Sequence, residues 1–143
     1  MELSRESKIV AGILLIAVPT IMYGGVTLLG LLTQGQAGMP PGNLVLNETQ
    51  SALWRAGHAH AGVYVLLSLI LLPLIDQTAL SNSLKRVARL GAPVASILLP
   101  AGFFGLAFIE GFKWLAYIGA VCLAASVLIT GVGLLKNLKA GAT

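Results

Sequence analysis

Residues 51–75 read SALWRAGHAHAGVYVLLSLILLPLI, and how this stretch is taken decides the number of membrane spans. Its purely apolar part runs from Ala61 to Ile75. At a helical rise of about 1.5 Å per residue that part reaches only about 22 Å, whereas a hydrocarbon core is about 30 Å thick. The segment crosses only if its helix begins near Ser51. Trp54, Arg55, His58 and His60 are then drawn into the membrane or its interface. Asn47 followed by Gln50, or Thr49 itself, supplies N-cap chemistry for such a start.

Outward from this segment the remaining spans are simpler. Ile9 to Leu32 is an apolar run longer than the roughly 7–15-residue hydrophobic region of a signal peptide. Pro19, Gly24 and Gly25 within it are tolerated in bilayer helices, so it is expected to stay in the mature protein. A third span reads from about Val87 to Ile109 and a fourth from about Phe112 to Leu135. Hydrophobic residues make up 57% of the 143, roughly 80, which is what four spans of about 20 consume. Only 10% are charged, against about 25% in a soluble domain. A soluble enzyme, a disordered tail and a disulfide scaffold are excluded, the last because Cys122 stands alone. The expected fold is an all-α integral membrane protein, one domain over residues 1–143, built as an antiparallel four-helix transmembrane bundle. Pro93 and Pro100 are expected to kink the third span.

The net charge of +4 needs no nucleic-acid partner, because the basic residues fall at the ends of apolar runs. Arg5, Lys8, Lys85, Arg86, Arg89, Lys136 and Lys139 lie at the N-terminus, the second connection and the C-terminus; only Arg55 and Lys113 lie at the other ends. Lys and Arg near span ends are retained in the cytoplasm, which puts both termini inside. The expected location is the bacterial inner membrane, with anionic lipid head groups attracted to the inner basic clusters. The Gly- and Pro-rich segment from Gln34 to Gln50 then faces outward, as a connector or a lid. Asn47-Glu48-Thr49 matches a glycosylation sequon, which matters only in a eukaryotic secretory route. Small residues at four-residue spacing, Ala116, Ala120 and Ala124 above all, with Gly91 and Ala95, Ala101 and Gly105, and Gly57 and Ala61, mark close helix contacts within one subunit or between subunits.

The constellation with chemical content is Trp54 to Gly62. Ionisable side chains inside a span are costly and by default suggest a functional site. Residues i and i+2 of a helix lie about 200° apart, so His58 and His60 point to opposite sides and cannot chelate one metal together. A copper or other transition-metal ion on either histidine would need further ligands, and Glu48, Glu110 and Cys122 are the distant candidates. One imidazole suffices for haem iron, and the flanking Ala56, Gly57, Ala59, Ala61 and Gly62 leave room for a flat macrocycle. Met22 at a comparable depth, the same histidine of a second protomer, or less favourably Tyr23, would complete the axial pair. Phe103, Phe104, Phe108, Phe112, Trp114 and Tyr117, with Trp54 and Tyr64, read as an interfacial belt or as the wall of an apolar pocket.

The stretch Arg55-Ala-Gly-His58-Ala-His60-Ala resembles the second-helix signature of subunit I of haem-copper oxidases and nitric-oxide reductases. The resemblance implies haem b with His58 as axial ligand and Arg55 on a propionate. It covers fewer than about ten residues, and the chain has four spans where that family has about twelve, without the family's other histidines. The leading expectation is a small haem- or metal-binding protein of membrane redox chemistry and electron transfer, with His58, His60, Arg55 and Met22 at its site. An accessory subunit of a larger membrane complex or homo-oligomer, and a small proton or solute channel, are the competing classes. No nucleophile, base and orienting group are arranged for catalysis by this chain alone.

Overall fold

The computed structural model describes residues 2–140, with side chains as far as Asn137; the side chain of Lys139 lies outside the described residues. Four α-helices follow in order: α1 (Arg5–Leu32), α2 (Glu48–Asp76), α3 (Asn82–Leu106) and α4 (Lys113–Ala140), with one 3-10 turn (Glu110–Phe112) before α4. Among the described residues there is no strand, and all four helices are long and apolar enough to cross a membrane.

Caps, rather than the edges of apolar runs, set the helix ends, which is why three helices begin earlier than hydropathy suggests. Ser4 accepts from the backbone N–H of Ser7 (3.2 Å), and Ser81 from that of Leu84 (3.4 Å). At α2 the cap is Asn47, with a reciprocal capping box: its Oδ1 accepts from Gln50 N (2.9 Å) and Gln50 Oε1 accepts from Asn47 N (3.0 Å). This start gives α2 the length that its apolar part lacks. The third helix stops at Leu106, short of the expected Ile109, because Phe108 and Ile109 both donate to Gly105 O and Ile109 turns extended. Both Pro93 and Pro100 are accommodated within a continuous α3.

The segment between α1 and α2 is folded back on α1 instead of hanging free. Gln34 takes φ 52°, Gly35 N donates to Gly30 O (2.8 Å) and Gln34 N to Leu31 O (3.4 Å), a Schellman closure of α1. Met39 N then donates to Val26 O (3.2 Å). Gly38, at φ 78°, lies so close to Val26 O and the Gly30 backbone that no side chain fits there.

Helix α3 is the centre of the molecule: 44% of its most apolar stretch is buried, against 6% for α1. Leu71 and Ile75 of α2 pack on Ala88 and Ala92 of α3, and Leu14 of α1 packs with Val65 and Leu72 of α2. Helix α1 rests on α2, touches α3 lightly, and does not meet α4 among the described residues. The arrangement is a three-helix core with α1 laid along one edge, not a closed square of four. Between α3 and α4, Gly91 faces the Cys122 carbonyl, Gly102 faces Ala116, Gly119 faces Leu99, and Ser126 Oγ donates to Ala88 O (2.5 Å). This seam differs from the four-residue stripe read in the sequence. Ala116 belongs to it, but Ala120 and Ala124 are exposed. A strict four-residue step gains about 40° per step on a 3.6-residue helix, so such a stripe winds off the face it starts on.

Candidate functional site

His58 and His60 diverge as the helical period requires, and each meets a different helix. His58 turns to α1, where the adjacent Gly24 and Gly25 leave room for its ring. A Cβ placed on Gly25 would lie 3.0 Å from His58 Nε2 and 3.1 Å from Cε1; one on Gly24 would lie 3.9 Å from Nδ1. Beside the ring runs a groove of about 240 Å³ lined by Val18, Ile21, Met22, Gly62, Val65 and Leu66. Met22 therefore does share a groove with His58, while itself exposed. Arg55, one turn earlier on the same face, is exposed and has no ion pair among the described residues.

His60 turns toward α3. Its Nδ1 is 2.6 Å from Ala56 O, one turn back, and its ring centroid lies 5.0 Å from Phe103 and 5.3 Å from Tyr64. A carbonyl oxygen only accepts, so Nδ1 is the donor in this contact. Nearer the start of α2, Trp54 meets Phe104 (5.4 Å) and Phe108 (6.2 Å) edge-on, and Gly57 lets the Phe104 ring lie against the α2 backbone. Edge-to-face geometry is the favoured arrangement for such rings. The aromatics thus divide: these form a seam between α2 and α3, whereas Trp114 and Tyr117 stand exposed on α4 as belt residues do.

Nε2 of His58 faces α1 at Gly25, 3.0 Å from where a Cβ on that glycine would stand, so a group bound to this nitrogen would share the space between α1 and α2. The groove alongside is smaller than the roughly 300–1,000 Å³ of ordinary ligand pockets. The two histidines face different helices, and among the described residues no three His, Cys, Asp or Glu side chains gather where an ion could be held.

The ionic centre of the molecule lies at the opposite end, around Arg89. Arg89 is buried, 5% exposed. Its Nε donates to Ser7 Oγ (2.9 Å), Nη2 to Asp76 Oδ1 (2.8 Å) and Ser4 Oγ (3.4 Å), and Nη1 to Glu6. Asp76 Oδ2 in turn accepts from Ser4 N (2.8 Å). The network joins the start of α1, the end of α2 and the third turn of α3. Counting Arg89 with the basic residues of the connection hides it, because a span beginning near Val87 makes it a first-turn residue. Once Ser81 is recognised as the cap, Arg89 lies well inside the helix, where a charge needs partners. Asp76, a carboxylate closing an apolar run, is the signal that could have found it.

No family model matches the chain, and neither the curated proteins nor the solved structures gave a match.

Proposed function

We propose that this chain is a non-catalytic structural or accessory component of a membrane assembly. Its four helices cross the bacterial inner membrane antiparallel, both termini lie in the cytoplasm, and the outer face of α4 is where a neighbouring subunit packs. One observation carries the reading: Ala120 and Ala124 are on the exposed face of α4, flanked by exposed Tyr117, Val121 and Leu128. Small residues one turn apart let two bilayer helices approach closely, and among the described residues Ala120 and Ala124 stay exposed on that face. The histidines support the same reading, since each is taken up in contacts between helices, His58 against Gly25 of α1 and His60 against Phe103 of α3.

Purification of the full chain in mild detergent tests it. The expected result is an oligomer or a stoichiometric complex, converted to folded monomer by Ala120→Leu with Ala124→Leu. A monomer from the outset, or an assembly indifferent to those changes, would contradict the proposal.

A further inference from the structure

The end of the molecule where α1 and α3 begin holds a polar cavity of about 910 Å³. Four cations, Arg5, Lys85, Arg86 and Arg89, border it with three carboxylates, Glu2, Glu6 and Asp76, which leaves it net positive. Arg89 is committed to Glu6 and Asp76. Lys85 Nζ donates to the Asp76 carbonyl oxygen at 3.4 Å and forms no ion pair among the described residues. Arg5 and Arg86 are exposed and form no ion pair among the described residues.

Directly beyond the charges the lining changes. A groove of about 200 Å³ has Glu6, Arg86 and Arg89 at its top and Ile9, Val10 and Leu90 below. A second cleft of about 360 Å³ shares Val10 and Leu90 with it and continues between α1 and α3 past Ile13, Ala17, Val94 and Ile97. Because α1 and α3 touch only lightly, this crevice is open to whatever surrounds the helices.

A basic vestibule set above an apolar crevice matches an amphiphile with an anionic head. We infer that one anionic phospholipid of the cytoplasmic leaflet is held here, its phosphate on Arg5 and Arg86 and an acyl chain between α1 and α3. The inference rests on the membrane orientation proposed above. Guanidinium groups suit phosphate because their paired N–H donors match its oxygens. A free phosphate would use the vestibule but leave the crevice without an occupant.

The test is native mass spectrometry of the detergent-purified full chain, offered phosphatidylglycerol or phosphatidylcholine. One phosphatidylglycerol should be retained with a preference of about tenfold or more, the scale expected from two basic side chains at a lipid surface. Arg5→Gln with Arg86→Gln should abolish the preference, while Lys113→Gln with Lys136→Gln, the same change of net charge elsewhere, should keep it. Leu90→Trp, which fills the crevice and alters no charge, should weaken phosphatidylglycerol retention and serves also if the arginine variant misfolds. Glycerol phosphate, a head group without tails, should not compete. Equal retention of both lipids, an arginine variant that binds like wild type, or full competition by glycerol phosphate would overturn the site. Release of the chain from membranes by alkaline carbonate without detergent would instead overturn the membrane reading itself.

Discussion

His58 and Gly25 form the contact on which the histidine question turns. The imidazole lies where a larger residue at 25 would place its side chain, so Gly25→Leu should destabilise the fold by roughly 1–3 kcal/mol, the ordinary cost of overpacking. His58→Ala opens that space and should restore part of the loss. A double-mutant cycle read by unfolding in detergent checks this, with a coupling of about 0.5 kcal/mol or more expected for side chains in contact. Additive effects would mean that His58 does not rest on α1. The divergence of His58 and His60 was legible in the sequence, because it follows from 100° per residue alone. The partner of each was not. Nothing in Gly24-Gly25 says which of three other helices it will face, and Phe103 serves equally well in a belt or in a seam.

At the scale of the elements, the caps were the readable part and the packing faces were not. Asn47 and Gln50 mark the start of α2 through local chemistry, and the structure selects Asn47 as the cap. Helices so uniformly apolar give little indication of which side is inward, which is why the alanine stripe of α4 names no partner in the sequence, and two of its three alanines are exposed. The attachment of α1 depends on few contacts: an apolar seam against α2 and the Arg89 network at its start. Removing one member of a buried charge cluster leaves the others uncompensated, at a cost of about 3–5 kcal/mol. Arg89→Ala should therefore loosen α1 first, raising hydrogen exchange over Ser4 to Leu14 while α3 and α4 stay protected. Uniform loss across all four helices would mean that the network holds the core and not the edge.

For the molecule as a whole, the chemistry-bearing residues divide between two ends of the helices, and at both ends they join one helix to another. His58, His60 and Trp54 fill seams toward α1 and α3; Arg89, Asp76 and Glu6 gather three helices. On the function proposed above, partners meet two surfaces: the small-residue face of α4 and the basic vestibule above the α1–α3 crevice. The haem-like segment in the sequence and the seated His58 in the structure lead to opposite expectations for one observable, the absorption spectrum of the full chain purified from cells supplied with haem precursor. A protein whose histidines pack its helices shows no Soret band at stoichiometric amplitude, in wild type or in His58→Ala. A stoichiometric Soret band that disappears in His58→Ala would contradict it.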